Sequence, residues 1–231
     1  NKVLKYFVGL GYLEQTGMYQ TDVNELRKHP TFAKLISLSP EVDKALVNPD
    51  YNPEYLYRRI TARTNLDINI NDDLSIGIDM SYRFGNQNRP AAYSIIDGGD
   101  GENMRLFAMF IRNPPQAFPL IHASGAMSSA HTRWRQNPLI TLAYTGYRND
   151  TDNDVELTAK FQYNLQKLVK GLSIDGKYAF DNTWGNFRGM GWRPFVYSYD
   201  EATNTYKQGL NGFLPKTDSS KSSPISREYA E

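Results

Sequence analysis

The chain has 231 residues, 26 lysines and arginines against 25 aspartates and glutamates, and no cysteine. That length holds one or two domains with a sizeable core, and the missing cysteines exclude disulfide scaffolds and thiolate metal sites. A net charge of +1 gives no general attraction to nucleic acid or to an anionic membrane surface. No stretch reaches the ~18 consecutive apolar residues of a spanning helix, but a membrane β-barrel stays open because its strands show lipid only every second side chain.

At the start, Asn1 is not an initiator Met, and the residues up to Tyr12 lack the apolar core and cleavage site of a signal peptide. At the end, Ser219 to Glu231 is polar and contains no closing strand. The expectation is a piece of a longer polypeptide.

Tyr6, Val8, Leu10 and Tyr12 form the first alternating run. A long link from Gly17 to about Tyr55 follows. Within it, Ser39-Pro40-Glu41 reads as a cap, a first-position proline and an acidic first turn, so the spacing predicts a short helix over Pro40 to Val47, stopped by Asn48-Pro49.

From Ile60, the even positions Ile60, Ala62, Leu66, Ile68 and Ile70 face Arg59, Arg63, Asp67 and Asn69 across the strand. After Asn71-Asp72-Asp73, Leu74, Ile76, Ile78, Met80, Tyr82 and Phe84 alternate with Ser75, Gly77, Asp79, Ser81 and Arg83. Successive strand side chains point to opposite faces, so these runs predict an antiparallel hairpin with one greasy and one polar side. A second long link runs from Asn86 to Asp154, with an extended stretch at Asn113-Pro114-Pro115 and Pro119.

The pattern then returns. Val155, Leu157, Ala159, Phe161, Tyr163 and Leu165 make one greasy face, and Leu172, Ile174, Gly176, Tyr178 and Phe180 another, with a tight turn around Lys167 to Gly171 between them. A third long segment runs from Asn186 to the end. Five strands are expected.

A soluble sheet with one wet face would alternate identically. Two observations favour a bilayer: the Leu74–Phe84 run matches the ~9–11 residues that cross at a tilt, and aromatics sit near the ends of the apolar faces, as in interfacial girdles. Short links alternating with very long ones point the same way. Compact domains rarely carry several long structureless connections, whereas outer-membrane barrels pair short periplasmic turns with long extracellular loops.

Catalytic and metal chemistry is not expected. His29, His122 and His131 have no metal-ligand spacing, and there is no nucleophile elbow and no phosphate-binding glycine loop. Asp150-Thr151-Asp152-Asn153-Asp154 opens like a calcium loop, but Val155 and Phe161 stand where the turn glycine and the bidentate glutamate belong. A hydrated loop entering a strand is the expectation there.

The polar strand faces carry Arg59, Arg63, Asp79, Arg83, Lys177 and Asp181, which in a barrel point into the lumen and hold a plug or line a hydrated path. Among the loop aromatics, Trp134 lies between Arg133 and Arg135, Trp184 and Trp192 flank Arg188, and Tyr197 and Tyr199 follow. Rings beside polar groups suit the C–H faces of sugars. Trp134, Trp184, Trp192 and Arg188 are therefore the candidate ligand contacts, with loop packing as the other account of them.

Several segments together resemble the SusC/RagA-like TonB-dependent outer-membrane transporters. They are Lys5 to Met18, Tyr57 to Asp67 with its hairpin, Ile111-Arg112-Asn113-Pro114-Pro115, Asn137-Pro138-Leu139 leading to Thr145-Gly146-Tyr147, and Gln162 to Ile174. The resemblance implies an all-β fold, part of a large plugged antiparallel transmembrane barrel with long extracellular loops carrying short helices. Residues 1–231 would be an N-terminal part of that barrel, without its plug and remaining strands. It further implies energy-coupled import of oligosaccharides or oligopeptides across the outer membrane of Bacteroidetes-type bacteria, with no cofactor. The partners would be a SusD-like surface lipoprotein, the TonB complex acting through the plug, and outer-membrane lipid. Two rivals remain: a secreted soluble β-module binding glycans through its tryptophans, and a passive porin without TonB coupling.

Overall fold

A computed structural model describes residues 3–91, 108–114, 116–129, 137–191, 194–210 and 228–230. It is mostly antiparallel β-sheet. The main sheet contains β1 (Leu4–Thr16), β2 (Leu56–Asn69), β3 (Leu74–Pro90), β4 (Gly146–Asn164), β5 (Ser173–Gly191) and the short β8 (Glu228–Ala230), in the order β1-β2-β3-β4-β5-β8. A separate hairpin is made by β6 (Phe195–Asp200) and β7 (Thr205–Leu210).

The first five strands are sequence neighbours paired in sequence order. Hydrogen bonds at the strand ends show the direction: Asn69 at the end of β2 donates to Val3 at the start of β1, and Asn164 at the end of β4 donates to Asp73 at the start of β3. The β2–β3 turn closes through Ile70 N–H to Leu74 O, and the β4–β5 turn through Leu165 N–H to Leu172 O. In the second turn Gly171 sits at φ +84°, a left-handed conformation that costs a residue without Cβ little.

The five expected strands are present and longer than the apolar runs, and a short sixth, β8, pairs with β5 from Glu228–Ala230, within the end segment expected to contain no closing strand. β3, β4 and β5 have 17, 19 and 19 residues, against a usual strand of about 5–6. Residues 150–154, expected as a loop, lie inside β4. The physical reason is that a strand needs only a backbone partner on each side, so a polar stretch continues the ladder past the end of the greasy band.

Among the described residues, besides a helical stretch over residues 108–112, four helices are short and terminus-driven. The expected one appears as Pro40–Ala45, behind Ser39, although the Ser39 side chain makes no capping bond. Three more were not expected. Val23–Lys28 is capped by Asp22, Pro30–Leu38 by His29, and Pro138–Ala143 by Asn137, whose side chain accepts from Leu139 N–H and Ile140 N–H.

The chain divides into two compact units. Residues 1–15, 56–87 and 150–186 form the first, and 16–55, 88–149 and 187–231 the second. No apolar side chain of the first unit is buried among the described residues. Its greasy face instead stays open, with Leu10 81% and Tyr178 64% exposed. The second unit has an ordinary core, in which Val23, Phe32, Val42, Leu46, Ile121, Leu139 and Ala143 pack together. Ile140 is also fully buried there.

Candidate functional site

In the first unit, alternation and cross-strand contacts place the polar residues of β2 to β5 on one side of the sheet. Asp79 on β3 accepts from Lys160 on β4, with Nζ to Oδ2 2.5 Å. Arg83 on β3 pairs with Asp154 on β4, whose carboxylate also accepts from Thr183 on β5. Beyond these pairs, Lys5, Asp67, Lys160, Asp175 and Lys177 surround Gly77 in a groove of about 500 Å3.

Of the six residues expected on the lumen side, Asp79 and Arg83 therefore join charge pairs. Arg59, Arg63, Lys177 and Asp181 stand on their strands without an ion pair to a described residue, and none of the six pairs with another of the six. Their partners Lys160, Asp154 and Thr183 escaped sequence reasoning. The signal was present in the alternation of β4, but pairing residues 71 positions apart requires the register.

The opposite side of this sheet has its own polar ending. Tyr12 donates to Glu14, and Glu14 accepts from Arg58 Nε at 3.0 Å. Tyr82 donates to Asn153 at 2.8 Å. These groups lie in phase with the greasy residues, just past the aliphatic band. Trp184 on β5 shares the phase of Ile174, Tyr178 and Phe180 and is half exposed.

In the second unit, Arg188 lies on β5 with its side chain exposed. Next to it, the Phe187 ring carries the guanidinium of the buried Arg148 at 4.3 Å. Trp134 and Trp192 lie outside the described residues.

The second unit contains buried polar hubs. Asn137 is fully buried and donates to Leu120 O at 2.7 Å and Ser128 O at 2.8 Å. The Tyr51 hydroxyl donates to Ala143 O at 3.1 Å and accepts from Gly146 N–H at 3.0 Å. Gly146 has φ +109°, and a Cβ there would collide with the Met190 carbonyl oxygen. Burial pushes the Tyr144 phenol up to about 12, so it stays neutral in ordinary conditions.

An open cleft of about 750 Å3 lies between Tyr19, Asp22, Glu25, Asp50, Tyr51 and Glu54. Asp22 caps its helix and Glu25 pairs with Lys28. Among the described residues no group of three histidine, aspartate or glutamate side chains is placed to hold a metal ion. Among the described residues no helix is long and apolar enough to cross a membrane, which says nothing of a β-barrel.

A second feature of this unit is the β6–β7 hairpin. Tyr199 stands directly opposite Tyr206, and Tyr197 opposite Gln208. The two tyrosine rings lie 5.3 Å apart, and His122 meets Tyr206 edge-on at 5.1 Å. Sequence reasoning noticed Tyr197 and Tyr199 but not this pair, because the turn between the strands carries no glycine signal. Asn204 supplies the left-handed residue instead, at φ 52°. Against protein-family models, curated proteins and solved structures alike, the chain finds no match.

Proposed function

We propose that this chain forms part of the wall of a SusC/RagA-like importer in the outer membrane of Bacteroidetes-type bacteria. In this reading it moves oligosaccharides or oligopeptides inward with a SusD-like lipoprotein outside and the TonB complex, acting through a plug, inside. The observation that carries the reading is the first unit: a long-stranded antiparallel meander whose aliphatic residues find no core to enter.

Apolar area left in water forfeits about 25 cal/mol per Å2, so a sheet with one fully greasy face needs a cover. Lipid is the cover that suits strands with aromatics near the ends of the band and long polar continuations beyond it. The opposite face, carrying Lys160–Asp79 and Arg83–Asp154, is the kind of surface a hydrated lumen tolerates. A sheet of six strands, the last only three residues long, cannot close a barrel in lipid, since the open edges would leave backbone groups unsatisfied. The working unit in this reading is therefore the longer polypeptide.

Because the chain has no cysteine, single cysteines give a clean test. Spin labels at Ile78 and at Asp79 in the full polypeptide, reconstituted in vesicles, are exposed in turn to oxygen in the lipid phase and to a water-soluble nickel chelate. Oxygen should dominate at Ile78 and the chelate at Asp79. Equal access of the chelate at both positions would overturn the membrane reading. The same outcome would favour a secreted glycan-binding module, a reading that draws on the water-type core of the second unit.

A further inference from the structure

Tyr199 and Tyr206 are directly opposed on β6 and β7, and each leaves 45% of its surface exposed. Cross-strand aromatic pairs stabilise hairpins by touching each other, and His122 also meets Tyr206 edge-on, yet nearly half of each tyrosine stays exposed. The hairpin does not depend on that pair alone. Val196, 2% exposed, anchors it from beneath. The Tyr197 main chain is held at both groups, its N–H donating to Met127 O at 2.8 Å and its O accepting from Ser129 N–H at 3.0 Å. The His122 Nε2 lies 2.9 Å from the same oxygen. The rings are thus presented on a fixed support.

Their surroundings are polar in a particular way. Tyr199 donates its hydroxyl to the Asn204 side-chain oxygen, which orients that amide and leaves its NH2 free to donate outward. Gln208, two residues beyond Tyr206, belongs to the same face of β7. The ion pair of Asp200 with Lys207, 2.6 Å apart, belongs to the alternate face. Two tilted rings beside neutral amides, with the Asp200–Lys207 pair on the alternate face, match a sugar ring, whose C–H face stacks while its hydroxyls take hydrogen bonds. A cationic peptide would call for carboxylates there instead.

We propose that Tyr199 and Tyr206 form a carbohydrate-stacking platform that holds one pyranose ring of an oligosaccharide, with Asn204 and Gln208 as its hydroxyl partners. This rests on the importer reading only for its choice of ligand class, and it names sugar rather than peptide. The site differs from the tryptophan contacts expected from the sequence.

The test uses the full polypeptide in detergent, titrated with hexasaccharides of glucose, xylose, mannose and galactose and, as a control, a neutral hexapeptide. At least one hexasaccharide should bind. Tyr199→Ala and Tyr206→Ala should each weaken it about tenfold, the order of effect expected for losing one stacking ring, and Tyr206→Trp should retain it. Helix and strand content by circular dichroism shows that the variants are folded. Failure of every hexasaccharide to bind, or unchanged binding in both alanine variants, would overturn the platform. The spin-label contrast at Ile78 and Asp79 reads the membrane claim independently, so the two can fail separately.

Discussion

Leu10 in the first unit leaves most of its side chain exposed, whereas Leu46 in the second is completely sealed. Both units are rich in aliphatic and aromatic residues, so composition does not separate them. The arrangement does: in the first, apolar residues recur at every second position of long strands, and in the second they gather from short helices and loops onto a common centre. The first is a long-stranded sheet whose apolar face has no buried core of its own among the described residues. The second satisfies its own apolar groups in the way a water-soluble domain does.

That difference can be tested by substitution. The largest effect is expected in the closed core, where Ile140→Ala should cost about 2–5 kcal/mol through lost contacts and a residual cavity. It would be read as lost hydrogen-exchange protection of the Pro138–Ala143 helix. Ile174→Ala, half exposed on the greasy face, should cost much less. If both changes cost the same, the two units do not differ as described.

Next in size is a charge on the greasy face. Ile78→Lys should lower folding stability in vesicles by about 2–4 kcal/mol if the residue lies near mid-membrane, measured by denaturant titration of the full polypeptide. Ser81→Lys, on the polar face, should be close to neutral. Equal costs would remove the distinction between the faces.

Asn137→Ala should follow, at about 1–3 kcal/mol, because it removes the side-chain donor to the Ser128 carbonyl and one of two donors to the Leu120 carbonyl, which keeps Ser128 N–H, and removes a helix cap. Hydrogen exchange at Leu139 and Ile140 would register it.

The smallest effect concerns pH. The Lys207 ammonium beside Asp200 holds that carboxyl below its ordinary 3.8. A carboxyl whose folded pKa is depressed contributes stability above its unfolded value and loses it as pH falls through the folded one. The β6–β7 hairpin should therefore loosen only below about pH 4, seen by NMR at Asp200 and Tyr199, and Lys207→Met should abolish that acid-side change.

Much of the first unit was legible in the sequence because a period of two is a geometric signature of strands. Ile60 to Ile70 and Leu74 to Phe84 set out two strands, their faces and their turn without further information. The strand ends were not legible. Asp150-Thr151-Asp152-Asn153 reads as a loop by composition, yet backbone pairing carries β4 through it. The three unexpected helices have at most nine residues, too few for a helical period to emerge, and they depend on caps and burial instead. The charge pairs and the Tyr199–Tyr206 pair were hidden for another reason. Each joins two strands, and only the register says which residues meet.

The turn end of the first unit has a consequence for assembly. The Asn71 side chain accepts from Asp73 N–H and Leu74 N–H, and the Asn164 side chain accepts from Gln166 N–H, so each tight turn organises itself locally. Lys167 then ties the second turn to Asp73 in the first. Such turns let each pair of strands zip up on its own and then clasp its neighbour in the correct alignment. A slip by one residue would undo the clasp and turn every apolar side chain to the opposite face of the sheet. The register of four strands is thus tied at their tips by a handful of residues.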